Sequence, residues 1–161
     1  YVSFFDYHPE WLQSAEDIIY TFRSGKLYKH DNQTLYANFY GDQYPADITL
    51  VFNQNYHTKK SWNSLAEVAS DTWEVPTMRT NTISYKDVFQ TSSLKEGEFV
   101  KLENMPSASI KRDANSPGGK INGDFMKGNY LIAKFQKINA NNSITLSEVS
   151  CRFTDSPLNV K

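Results

Sequence analysis

The stretch Arg112–Asp124, RDANSPGGKINGD, carries the residue types of a phosphate-binding loop: paired glycines, a following lysine and small polar neighbours. A loop of that kind needs G-x-x-x-x-G-K-[ST] between a strand and a helix, because the unpaired N–H groups and dipole of the helix hold the anion. Lys120 does follow Gly118 and Gly119, but Ile121 stands where the metal-binding Ser or Thr belongs, and the chain downstream alternates like a strand. Pro117-Gly118 and Asn122-Gly123 read instead as turns, the second as the pairing that type I′ hairpins prefer. The expectation is turns between short strands and no phosphate cofactor.

Other reactive residues are dispersed. His8, His30 and His57 form no H-x-x-x-H or H-x-E pair, so no metal site is assigned. Asp113, Asn115 and Asp124 lack the spacing and the glutamate of an EF-hand. Asp42 with Asp47, Glu96 with Glu98, and Glu103 are carboxylates of the type that glycoside hydrolysis uses in pairs, but nothing selects a pair. No G-x-S-x-G elbow is present. Cys151, the single cysteine, excludes an intrachain disulfide and fits the buried face of the strand EVSCRF. Asn32-Gln33-Thr34 and Asn141-Asn142-Ser143 match the glycosylation sequon, with no secretory signal peptide at the start of the sequence. A net charge of −1 offers no electrostatic footprint for nucleic acid, and the longest apolar runs are strand-length, too short to span a membrane. No catalytic residue and no cofactor is expected.

Aromatics are the remaining resource. Ten Tyr and ten Phe favour pleated structure, and several gather with Trp11 and Tyr28 around one polar segment, DNQTLYANFYGDQYPAD. Tyr36, Phe39, Tyr40 and Tyr44 are the candidate contact surface, able to anchor a partner chain or stack on a sugar ring. The alternative reading is that they cover the edge of a β core.

The elements that must position these residues are strands. DIIYTF and KLYKH flank Ser24-Gly25 as a hairpin. Upstream, Pro9 stands where a helical turn can begin. Residues 31–45 read as an ordered loop, and DITLVFNQN as a strand with both faces covered. KKSWNSLAEVASDTW fits two adjoining strands linked by Ser70-Asp71. Gly97 reads as the turn of a hairpin. Leu131, Ala133 and Phe135 share one face of a strand. In SITLSEVSCRF the apolar parity switches between Leu146 and Val149, which signals a bulge. The fold class expected is all-β, a β-sandwich or jelly-roll.

The blocks YTFRSGKLYKHD, NFYGDQYPADITLVFNQN, KKSWNSL, KRDANSPGGKINGDFMKGNYLIAKF and CRFTDSPLNVK occur in that order. In this the chain resembles the C-terminal region of large virion structural proteins of crAss-like and related tailed phages of Bacteroidetes hosts, the muzzle or stabilisation-type tail proteins. The resemblance implies a short propeller-blade-like hairpin at 1–30 and a β-sandwich domain at 31–161. It also implies a non-enzymatic structural part of a symmetric tail assembly, made in the host cytoplasm and held by contacts with copies of itself and other virion tail proteins. A carbohydrate-binding module that recognises host surface glycan is the competing reading, and a glycan hydrolase a third.

Overall fold

The computed structural model of the chain describes residues 8–30, 35–102, 105–138 and 143–156. The chain divides into two compact units, Tyr1–Ala46 with Ile138–Ser143, and Asp47–Lys137 with Ile144–Lys161. The division falls after Ala46, so the aromatic segment belongs to the same unit as the N-terminal strands.

In the first unit, β1 (Trp11–Ala15), β2 (Ile18–Arg23) and β3 (Lys26–Lys29) form an antiparallel sheet in that order. Ser24 and Gly25 both take positive φ, 51° and 71°, as a type I′ turn requires, so the expected hairpin is present. The helical turn expected after Pro9 is absent: Trp11–Ala15 pairs residue for residue with Phe22–Ile18. Ladder bonds to β2 outweigh the weak local preference of a short polar segment. Residues 36–44 are more ordered than a loop. β4 (Asn38–Phe39) and β5 (Asp42–Gln43) close a hairpin over Tyr40-Gly41, whose φ values are 59° and 95°.

The second unit is the expected sandwich. Its strands are β6 (Ala46–Phe52), β7 (Lys60–Ala69), β8 (Glu74–Ile83), β9 (Phe89–Leu94), β10 (Val100–Leu102), β11 (Met105–Ser109), β12 (Lys127–Gly128), β13 (Leu131–Lys137) and β14 (Leu146–Asp155). One sheet has the order β6-β13-β8-β9; the other runs β10-β11-β7-β12, with β14 paired to β7. Trp62, Leu65 and Ala108 from the second sheet are buried, as are Val75, Met78, Leu94, Leu131, Ala133 and Phe135 from the first. A fully buried side chain of the larger kind contributes about 1.5–3 kcal/mol, so this set holds the unit together.

Three expectations need correction. β6 is a sheet edge with one face covered: Ile48, Leu50 and Phe52 are half-buried, while Asp47, Thr49 and Val51 are exposed. β7 and β8 are both strands, but they lie in different sheets, and Ser70–Trp73 is the crossing between layers. Gly97 turns no hairpin. It sits in a 3-10 turn, Glu96–Glu98, that carries the chain from β9 in one sheet to β10 in the other. The Glu98 side chain accepts the Lys95 N–H at 2.8 Å and fixes that corner. The bulge in the last strand is where the parity switch placed it, with a register shift between Leu146 and Glu148 opposite Ala69 and Val68. Pro157, expected to end that strand, and residues 1–7 lie outside the described residues, as do the residues 32–34 and 141–142 of the two sequons.

Candidate functional site

The glycine-rich stretch is folded around Asp113, which is fully buried. Its Oδ1 accepts the backbone N–H of Thr91 and of Asn115, each at 3.0 Å, and its Oδ2 accepts from the Ser84 hydroxyl. Main-chain bonds close the loop on itself, Arg112 N–H to Lys120 O at 3.1 Å and Asp113 N–H to Asp124 O at 2.9 Å. The loop also lies along β9, where Ala114 N–H donates to Thr91 O and Asn115 Nδ2 to Phe89 O, both at 2.8 Å. The glycines are therefore architecture: Pro117-Gly118 makes the expected turn, closed by Gly119 N–H to Ser116 O at 2.8 Å, but Asn122-Gly123 does not. Gly119–Asn122 is a single helical turn, α1, and Gly123 at φ −75° caps it instead of turning a type I′ hairpin. A Cβ on Gly123 would stand 2.4 Å from Gly119 O, so close approach selects the glycine there. One turn of helix has too few aligned amides to hold a phosphate.

The aromatic segment forms a cluster within the first unit. The Tyr40 hydroxyl donates to Thr21 Oγ1 at 2.9 Å, and Thr21 is fully buried. The Tyr40 ring meets Tyr28 edge-on at 4.6 Å between centroids and carries the Arg23 guanidinium 4.9 Å above it. Phe39 lies 5.9 Å from Tyr44 and 6.2 Å from His30. His30 is held below its ordinary pKa by burial. Phe39, Tyr40 and Tyr44 are thus half-buried against one another and the sheet, while Tyr36 is exposed. The opposite face of the same sheet presents the row Trp11–Phe22–Leu27, of which Trp11 and Leu27 are each 58 % exposed.

The remaining candidates are not brought together. Glu96 bonds Lys137 at 2.9 Å, Glu98 pairs with Lys111, and Asp47 pairs with Lys134 at 3.0 Å. Asp42, the first residue of β5, is exposed, and Glu103 lies outside the described residues. Among the described residues no group of three His, Cys, Asp or Glu could hold a metal ion. Cys151 is half-buried, opposite Leu65 of β7, and burial pushes its thiol up to about 12, far from a nucleophile at neutral pH.

Sequence reasoning missed the buried charges. Lys60 is fully buried; its Nζ donates to Asn129 O at 2.6 Å and sits 5.5 Å from the rings of both Trp62 and Phe153. Burial lowers its pKa, opposed by the charge of Asp155 across the ladder. Lys137, the last residue of β13, bonds Asp71 at 2.8 Å, Glu96 at 2.9 Å and Thr72 O at 2.9 Å. Burial pulls its pKa down, but the bonds and charges of Asp71 and Glu96 outweigh burial and hold it above the ordinary range. Beside it, Glu67 accepts the Trp73 N–H at 2.9 Å. Burial raises its carboxyl from 4.5 to about 7, against the backbone bond from Trp73 and the charge of Lys137. The one available signal was position: Lys60, Glu67 and Lys137 each stand where the strand alternation calls for an inward residue. These groups brace strand ends and sheet crossings.

Residues 34–113 match the family model described as the Crassvirus muzzle protein C-terminal domain. No curated protein matches the chain. The matched segment runs from the aromatic hairpin through both strands of the β10–β11 pair to Asp113, the residue on which the glycine-rich loop is anchored. That family implies a structural role in a phage virion.

Proposed function

Through residues 34–113 the chain belongs to the Crassvirus muzzle protein C-terminal domain family, and on that premise we propose that it is a tail part that works by protein–protein contact in a symmetric assembly. The family match is the observation that carries this reading. The molecule's architecture supports it: buried charges brace strand ends and loop bases, and the reactive residue types are spent on ion pairs and caps. A part of this kind contributes no turnover chemistry and needs no cofactor. It would be built into particles in the host cytoplasm, next to other virion tail proteins and copies of itself. The reading of two functional pieces, a propeller-blade-like one at 1–30 and a sandwich at 31–161, remains part of the proposal, with the compact units of the chain dividing after Ala46 instead of at residue 30.

Tyr36, Phe39, Tyr40 and Tyr44 form the proposed contact surface. Tyr36 supplies the exposed ring; beside it in the same segment, Tyr40 is fixed by its bond to Thr21 and its contact with Tyr28, and Phe39 packs on Tyr44. Rigid aromatics lose little side-chain entropy on binding, which suits a permanent contact. The test is localisation. Peptides of this chain should be recovered from purified virions and should stay with the tail fraction after the capsid is disrupted. Absence from particles would end the tail reading. Stabilisation of the chain by host surface glycan, with no such recovery, would transfer the aromatic surface to sugar binding.

A further inference from the structure

β14 is the open edge of its sheet: among the described residues its strand partner is β7 and no strand lies on its other side. It is ten residues long, unusual for an edge, since unpaired N–H and C=O groups on a long edge invite pairing with another chain. Its exposed side chains include Glu148, Ser150 and Arg152, and its half-buried ones Val149, Cys151 and Phe153. Read about Ser150, the exposed row is self-complementary. Two antiparallel copies related by a two-fold axis through Ser150 set Glu148 of each opposite Arg152 of the other. The same register sets Val149 of each copy opposite Cys151 of the other on the inner face, so the small apolar groups of the edge also meet.

The backbone permits this register. Ser156 N–H donates to Lys59 O of the chain preceding β7 at 2.8 Å, and β14 runs without an extra residue of its own from Glu148 to Asp155. Residues of the parity of Ser156, including Ser150, therefore turn their amides toward β7. Val149, Cys151 and Phe153 turn theirs to the open edge. In an antiparallel ladder, residues that present both groups to the edge must meet residues that do the same. Val149 opposite Cys151 satisfies that rule, and Ser150 opposite Ser150 becomes a pair without mutual hydrogen bonds.

We propose that β14 is a self-association edge, pairing antiparallel with β14 of a second copy of this chain about a two-fold axis through Ser150. The contact is isologous, the same patch on both copies, and joins the two five-stranded sheets into one. Opposite charges directly across a ladder favour the pair, and like charges oppose it, which fixes the register as well as the partner.

The experiment uses the 161-residue chain in sedimentation-velocity runs up to ~100 μM, where a contact of ordinary strength is populated. The wild type should form a dimer. Arg152→Glu places two like-charged pairs across the axis and should weaken the dimer on the order of tenfold. The double change Glu148→Arg with Arg152→Glu restores opposite charges and should restore the dimer. In a second measurement, Ser150→Cys in a Cys151→Ser background should give a disulfide-linked dimer on mild oxidation, because the two Cα atoms of such a pair stand ~4.5 Å apart, within disulfide range. A wild type that stays monomeric overturns the proposal. So does a dimer indifferent to Arg152→Glu, a double change as weak as the single one, or a folded Ser150→Cys chain that does not cross-link. The readout is separate from the virion reading: a missing dimer leaves recovery from particles untouched, and absence from particles leaves the dimer untouched.

Discussion

The three-stranded sheet and the sandwich alternate apolar and polar residues in the same way, yet they handle their apolar side chains differently. In β13, Leu131, Ala133 and Phe135 are fully buried because a second sheet lies across them. In the first unit, Trp11, Leu12, Ile19 and Leu27 are all more than 40 % exposed, and the buried side chain at the centre of the sheet is Thr21. That threonine is where the covering hairpin is fastened, through the Tyr40 hydroxyl. Alternation sets which residues share a face. The number of layers packed on that face decides whether sharing it is worth anything in stability. A single covered face leaves the other for a partner, and a two-layer unit can carry buried charges that the smaller unit could not desolvate.

The largest way to break this comparison is Phe135→Ala. It removes a ring with no exposure from between two sheets and should lower the unfolding free energy of the sandwich by ~3–5 kcal/mol in urea titrations. Phe22→Ala in the smaller unit should cost distinctly less, and equal costs would mean that the first unit is as well buried as the second. Next in size, Asp113→Ala leaves the Thr91 and Asn115 N–H groups without their acceptor and should cost ~2–4 kcal/mol. Amide exchange should then rise first in 112–124 and along β9, and uniform exchange would contradict an anchoring role for Asp113.

Glu67 sharpens the point about buried charge. Its carboxyl titrates at about 7 in the folded chain against 4.5 ordinarily, so the folded state binds the extra proton. Its contribution is therefore most favourable below pH 4.5, is lost as pH rises from 4.5 to about 7, and is level above that. Glu67→Gln keeps the acceptor for Trp73 N–H and removes the charge. It should raise stability by ~1–3 kcal/mol at pH 8 and change little near pH 4.5. A gain of equal size at both pH values would sink the explanation. The smallest expected effect is Trp11→Ser, within ~0.5 kcal/mol of the wild type, because that ring is already mostly in water. A larger loss would show that the Trp11–Phe22–Leu27 row is covered within the isolated chain.

Local patterns were legible without coordinates. Ser24-Gly25 specified its turn because Gly25 takes positive φ at no steric cost. The strand reading of Lys60–Ala69 held, and the apolar parity of the last strand located its bulge, since a strand that must keep apolar groups on one face has to insert a residue when the sequence shifts phase. The turn at Asn122-Gly123 and the hairpin at Gly97 were misread for a common reason. Both dipeptides permit several conformations, and the selection came from partners elsewhere: the Asp113 loop closing on Lys120 and Asp124, and the crossing from β9 to β10. The strand at Trp11–Ala15 was invisible because its segment has no strong preference, and β2 imposed one.

The sequence by itself determined the all-β class, most strand positions, the virion family and the absence of a recognisable catalytic motif, because each depends on neighbours along the chain. Tertiary structure decided which strands share a sheet, that Asp113 anchors the glycine-rich loop, that Tyr40 is fastened to Thr21, and that Lys60, Glu67 and Lys137 are buried with their partners. Those outcomes depend on residues far apart in sequence coming within hydrogen-bonding distance. Asp113 and Ser84 are 29 positions apart, and Lys137 and Thr72 are 65, so no window along the chain contains both halves of either contact.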